Sequence, residues 1–193
     1  MAASILQLLF PSVCLACGCK CATKWFCPPC WLLCELPDPA NHCQVCFQGL
    51  EEQARYCASC REGKKRLPMV RGFVFDPESP ARLMGLDAVD ALAGFAYLQW
   101  IQLEWPDPDV VIPMPDSAPI AAALASLMQA PLVKALSPSY EYYEDRLEEE
   151  NTLLLFDVSH SSSSLHKAAS ALSASFPKKI FVLSLFPYAD SVF

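Results

Sequence analysis

The sequence predicts an α/β protein in which an N-terminal module held by metal-binding cysteines precedes a parallel-sheet domain. Three observations carry this. All eleven cysteines lie before residue 61 of 193, and eight of them form Cys-x-x-Cys pairs. Beyond residue 68, short apolar runs alternate with longer segments of helical periodicity, the pattern of a parallel sheet covered by helices. Residues 152–168 (TLLLFDVSHSSSSLHKA) read as a buried strand ending in one carboxylate, a hydroxyl-rich turn and a helix start, which is where open α/β sheets bind ligands.

A chain of 193 residues that is 53% hydrophobic and 11% aromatic has enough apolar surface for one packed domain and a small appendage. Its apolar runs are broken by Pro, Asp or Gly well short of the ~18 residues of a membrane-spanning helix, so no transmembrane segment is expected. The opening MAASILQLLFPSVC has no basic residue before its apolar run and reads as a short helix ending at Pro11 rather than a secretory leader, which makes a cytoplasmic location the expectation. Charge is uneven. Through residue 66, seven Lys/Arg oppose five acids; beyond it, seven oppose sixteen. A nucleic-acid surface therefore fits only the N-terminal part, and zinc thiolates would erode even that small positive excess.

The cysteine pairs are Cys14/Cys17, Cys27/Cys30, Cys43/Cys46 and Cys57/Cys60. Two intervening residues let one turn present both sulfurs to a tetrahedral metal, and four pairs supply ligands for two zinc ions. Sequential pairing puts Cys14, Cys17, Cys27 and Cys30 on one ion and Cys43, Cys46, Cys57 and Cys60 on the other; interleaved pairing is the alternative. The odd total and the lack of a leader argue against a disulfide framework. Cys19, Cys21 and Cys34 are surplus, with Cys19 and Cys21 close enough in sequence to compete as ligands, and His42 beside Cys43 is a further substitute. The CPPC at Cys27 lacks the strand-to-helix setting of a thioredoxin-like motif. Trp25, Phe26, Trp31, Leu32, Leu33 and Phe47 are expected to form the module's small core, which needs metal to fold. The basic run at residues 61–66, with Lys64, Lys65 and Arg66, is the expected linker, giving domains 1–66 and 67–193.

In the second part, residues 69–75 have strand character, and Leu83, Leu86, Val89, Ala93, Ala96, Tyr97, Trp100 and Ile101 predict an amphipathic helix over 81–104. A strand at 110–112 stops at Pro113 and Pro115, after which Asp116 or Ser117 can cap a helix with Pro119 in its first turn. Residues 132–133 suggest a brief strand, and 140–150 an acidic, aromatic hairpin or flap. The central strand is 153–156. Leu165, Ala168, Ala169 and Leu172 line the next helix, and 180–186 is the last strand.

Asp157 ends the central strand, where a carboxylate can bind sugar hydroxyls or magnesium, or simply cap the turn. Ser161, Ser162, Ser163 and Ser164 can surround a phosphate, or cap the helix. His160 completes the candidate set, but a hydrolase triad with Asp157 and a serine is disfavoured, since G-x-S-x-G is absent and one turn rarely provides that geometry.

The order LLFPSVCLAC, FCPPCWLLCELP, CQVC, CASC, VVIPMP and TLLLFDVSHSSSS resembles the ComF family of bacterial competence proteins, which act in DNA uptake. The resemblance implies a double zinc ribbon joined to a type I phosphoribosyltransferase domain. In that family the counterpart of residues 152–164 carries two adjacent acids and then Thr-Thr-Gly-x-Thr, and binds the ribose hydroxyls and 5′-phosphate of phosphoribosyl pyrophosphate. Here Phe156 replaces the first acid and Asp157 keeps the second. His160, Ser161 and Ser162 stand for Thr, Thr and Gly, and Ser164 for the last hydroxyl. Phe cannot bind a hydroxyl or a magnesium ion, and a lost charged hydrogen bond costs ~1.5–3 kcal/mol. The family's basic Arg/Gly insertion after the Pro-x-Pro strand is missing, and its flap is replaced by YEYYEDRLEEE, leaving Lys134 and Arg146 as the nearby cations. The resemblance thus implies a zinc-bearing, non-catalytic member acting through a protein partner or single-stranded DNA, with magnesium only if the sugar-phosphate site works. An active phosphoribosyltransferase or sugar-phosphate enzyme is the alternative.

Overall fold

The computed structural model describes residues 12–50, 54–63, 69–143, 147, 151–158 and 161–187. The expected N-terminal helix, Lys64, Lys65, Arg66, Arg146 and His160 lie outside them. The cysteine module contains the two-residue strands β1 (Ser12–Val13) and β2 (Lys20–Cys21), which pair antiparallel, and two single-turn helices, α1 (Pro28–Trp31) and α2 (Ala58–Arg61). There follow β3 (Met69–Phe73), α3 (Val89–Gln102), β4 (Val110–Pro113), α4 (Ala118–Met128), β5 (Thr152–Asp157), α5 (Ser162–Leu172) and β6 (Lys179–Ser184). Two thiol clusters thus precede an α/β region with a four-stranded parallel sheet, as the cysteine spacing and the alternating periodicity predict.

The sheet order is β3-β6-β5-β4. A parallel bridge between Val111 and Leu132 adds the expected brief strand beyond β4. The steps from β3 to β4 and from β4 to Leu132 advance the same way across the sheet, so right-handed crossovers put α3 and α4 on one face; the step from β5 to β6 runs back and puts α5 on the other. The side chains follow. Leu154, Phe156, Phe181 and Leu183 pack with Ala93, Ala96, Trp100 and Leu124, while Leu153, Leu155, Ile180 and Val182 pack with Leu165, Ala168, Ala169 and Leu172. All six residues of β5 are buried, as a strand covered on both faces requires.

Local differences have local causes. The helix expected from residue 81 starts at Val89, because Pro80 opens only a 3₁₀ turn and Met84 is extended at φ −72°, ψ 127°. Leu83 and Leu86 consequently point to solvent. Ser117 occupies the N-cap position of α4 without capping it; its hydroxyl is turned back to the carbonyls of Met114 (2.8 Å) and Phe156 (3.0 Å), tying the ends of β4 and β5. The flap begins as a tight hairpin, with an antiparallel bridge between Leu136 and Tyr142.

The cysteine module shares its core with the sheet domain. Phe26 and the buried Cys14, Cys27, Cys30 and Cys34 belong to the same cluster as Phe75, Trp100 and Phe181. Trp31 meets Phe26 edge-on at 5.3 Å and stacks on Phe95 of α3 at 6.1 Å. Gln99, wholly buried on α3, donates to the Pro37 carbonyl at 3.1 Å. The Arg71 amide of β3 donates to the Val45 carbonyl at 2.9 Å, so the second cysteine unit occupies the open edge of the sheet. Leu32 and Leu33, expected in the module core, are instead exposed beyond the end of α1.

Removing the Phe26 ring leaves a cavity in this shared core, so Phe26→Ala is expected to lower stability by ~3–5 kcal/mol. Chemical unfolding followed by far-UV circular dichroism should show one transition moved to lower denaturant. An unmoved sheet-domain transition after an early separate one would contradict the shared core.

Candidate metal centre and ligand turn

The two cysteine units repeat one backbone design. In the first, Cys14 N–H donates to the Cys19 carbonyl, Gly18 N–H to Cys14, Leu15 N–H to Trp25 and Trp31 N–H to Cys27; in the second, Cys43 N–H donates to Gln48, Phe47 N–H to Cys43, Gln44 N–H to Arg55 and Arg61 N–H to Cys57. Each first knuckle turns through a left-handed residue, Gly18 at φ 73° and Phe47 at φ 57°. Each second knuckle opens a one-turn helix, with Cys27 and Cys57 at its N-cap in matching conformations. Glycine suits the first turn at no steric cost. Phe47 takes the same conformation with its ring stacked on His42 at 4.4 Å and edge-on to Phe73 of β3 at 6.0 Å.

These knuckles gather the thiols sequentially. The sulfurs of Cys43, Cys46, Cys57 and Cys60 lie within 4.8 Å of one another, and so do those of Cys14, Cys17, Cys19 and Cys27. Tetrahedral zinc with Zn–S bonds of about 2.3 Å sets its sulfurs about 3.8 Å apart. The Cys17–Cys27 and Cys46–Cys57 separations are both 3.7 Å. Both clusters therefore fit zinc in donor type, number and spacing. Cys30 is buried beside the first cluster, with its thiol against those of Cys27, Cys17 and Cys14. Five thiols thus surround the first position, against four at the second. Position by position, Cys30 corresponds to Cys60, while Cys19 corresponds to Gln48 and has no counterpart among the cysteines. Cys21 and Cys34 stand apart, their thiols directed to the carbonyls of Thr23 and Cys30. His42 is likewise turned away from the sulfurs, its Nδ1 2.8 Å from the Asp38 carbonyl.

The local field favours thiolate at the same position of both units. Burial pushes the Cys14 thiol up, but the amides of Cys27, Cys17 and Ala16 outweigh it and bring its pKa to about 6. Burial also opposes ionisation of Cys43, and the amides of Cys46, Cys57 and Val45 bring it to about 7. Hydrogen bonding to Cys17 and then Cys27 pushes Cys19 up to about 12.

At the other candidate site, β5 ends with Phe156 and Asp157, both wholly buried. The Phe156 ring lies in the core under α3 and α4 rather than in the crevice. The Ser161 hydroxyl accepts the Ser164 amide at 3.2 Å as the N-cap of α5, and lies 2.9 and 3.0 Å from the hydroxyls of Ser163 and Ser164. Ser162 receives both terminal nitrogens of the Arg71 guanidinium, each at 3.2 Å. Arg71 was not singled out in the sequence. Its signal was a charge in the run MVRGFVF at the same strand parity as Met69 and Phe73, hence facing α5. A cavity of about 580 Å³ between the cysteine module and the sheet, bounded by Asp38, Phe47, Trp105, Lys179 and Phe181, includes none of Asp157 and the four serines. Among the described residues, no helix is long and apolar enough to cross a membrane.

No family model matches the chain, and no curated protein matches it.

Ser161→Ala removes the cap of α5 and is expected to cost ~1 kcal/mol, read as a lower midpoint in urea unfolding. An unchanged midpoint would show that the cap contributes nothing.

Proposed function

We propose that each thiol cluster binds one structural zinc ion, through Cys14, Cys17, Cys27 and Cys30 in the first unit and Cys43, Cys46, Cys57 and Cys60 in the second. The chain then works as a zinc-held, non-catalytic scaffold of the competence-protein type. The carrying observation is the repeated knuckle design that brings thiols to tetrahedral spacing twice. Zinc would fix turns that have almost no secondary structure of their own, and so set Phe26, Trp31 and Val45 against the sheet domain.

The non-catalytic reading of the 67–193 domain is supported by what its turn residues do. Phe156 fills the core, and the hydroxyls of Ser161, Ser162, Ser163 and Ser164 are spent on one another, on a helix cap and on Arg71. Function then rests on contacts with a protein partner, with single-stranded DNA as a further contact of the N-terminal module. One observation favours the alternative of a sugar-phosphate site with magnesium: the Arg71 guanidinium places positive charge at the start of α5, beside Ser162.

Metal analysis of the purified chain should return two zinc ions, and Cys43→Ser should return one with weakened folding; a folded, metal-free chain would contradict the zinc reading. Titration calorimetry with phosphoribosyl pyrophosphate and magnesium should give no binding heat. Micromolar binding that disappears in Asp157→Ala would overturn the non-catalytic reading and favour the alternative.

A further inference from the structure

The two units differ at one chemically decisive place. The second has four thiols for one metal, with Cys46 buried and Gln48 two residues on. The first has five, and the pair at its rim, Cys17 and Cys19, is exposed on both members. Gly18 separates them at φ 73°, with nothing within 4 Å of the position a Cβ would take, and their sulfurs lie within 4.8 Å of each other. A tetrahedral ion uses four of the five thiols, and the repeat assigns the fourth position to buried Cys30 as it does to Cys60. Cys19 lies within the group of mutually close thiols and Cys30 beside it; with Cys30 as the fourth ligand, Cys19 is a surplus thiol held against exposed Cys17.

We infer that Cys17 and Cys19 form a hydroperoxide-reactive pair that closes to a disulfide and opens the first metal site, while the second site stays closed. The inference rests on the zinc reading, because Cys17 is then a ligand of the first ion and its oxidation would remove one of four. The Cys17 sulfur attacks the peroxide: an S–O bond forms, the O–O bond breaks, and the alkoxide or hydroxide leaves with the thiol proton. The sulfur is oxidised by two electrons to the sulfenic acid, a poor metal ligand. The Cys19 sulfur then attacks that of Cys17: the S–S bond forms, the S–O bond breaks, and hydroxide leaves with the Cys19 proton as water. Two thiols and one hydroperoxide give one disulfide, one alcohol and one water. The sulfurs must close to about 2.05 Å, a movement within a solvent-facing three-residue turn. Cys14, Cys27 and Cys30 would remain as three ligands, too few to hold a zinc ion against a competing chelator. In the second unit the ligand equivalent to Cys17 is buried, and glutamine stands where the resolving thiol would be.

The test uses the full chain loaded with zinc, hydrogen peroxide as the oxidant and a chromogenic chelator as the readout, with disulfides mapped by mass spectrometry of peptides. The expected result is release of one of two zinc ions together with a Cys17–Cys19 disulfide, reversed by dithiothreitol and added zinc. Cys19→Ser should retain both ions before oxidation and then accumulate the sulfenic or sulfinic form at Cys17, so that dithiothreitol and added zinc no longer restore the first site in full. Recovery of Cys19→Ser equal to that of the unaltered chain, simultaneous loss of both ions, or a disulfide between other cysteines would overturn the inference. A chain that never holds zinc at the first site would overturn the metal reading as well, whereas full loading without the Cys17–Cys19 disulfide overturns only this one.

Discussion

Convergence of thiols at two points is the constraint on which the rest of this structure depends. The described part of the module has two strands of two residues and two helices of one turn, too little regular structure to hold a chain in place. Its knuckles nevertheless present Phe26, Trp31 and Phe47 to the sheet domain with defined ring geometry. The rings of Phe26 and Trp31 join a core that extends through Phe95 and Phe75 to Trp100 and Phe181, while Phe47 meets Phe73 of β3. Metal bound at the clusters would thereby be linked to folding of the α/β region, because a shared cation would offset the entropy of ordering the knuckles.

The same arrangement deals with an edge. β3 is the outer strand of the parallel sheet, and an unpaired edge is a template for aggregation. The Val45 carbonyl, in the second knuckle between Cys43 and Cys46, accepts the Arg71 amide, and Phe47 packs on Phe73. On the strand face it shares with Phe73, the Arg71 side chain reaches Ser162 at the start of α5. One residue of β3 thus links the cysteine module through its backbone and the candidate ligand turn through its side chain.

The sequence was most legible where chemistry and periodicity act locally. The Cys-x-x-Cys spacing pointed to two metal-binding clusters and favoured sequential over interleaved pairing, because two residues between sulfurs already make a turn; the thiols gather in two groups, with Cys19 beside Cys14, Cys17 and Cys27 in the first. The apolar run at 152–156 and the stripe Leu165, Ala168, Ala169 and Leu172 located β5 and α5 for the same reason. What could not be read depended on contacts distant in sequence. Leu32 and Leu33 looked like core and are exposed, since the first cysteine unit packs Phe26 and Trp31 against the α3 side of the shared core instead. Cys19 joins the first cluster because the turn through Gly18 folds it back beside Cys17, a contact that the Cys-x-x-Cys pattern does not encode. Ser117 fails to cap because two carbonyls at the ends of β4 and β5 compete for its hydroxyl. Gln99 looked like an ordinary helix residue and is buried against Pro37.

At the turn after β5, Phe156 fills the core, and the Ser161 hydroxyl caps α5 and lies against those of Ser163 and Ser164. The central claim is that metal at the cysteine clusters supports the α/β core and not merely its own module. Hydrogen exchange read by mass spectrometry, with the zinc-loaded chain compared before and after chelation, tests it most directly. The account predicts that chelation strips protection from residues 69–73 and 89–102 as well as from residues 12–63. Loss confined to residues 12–63, with β3 and α3 still protected, would contradict it.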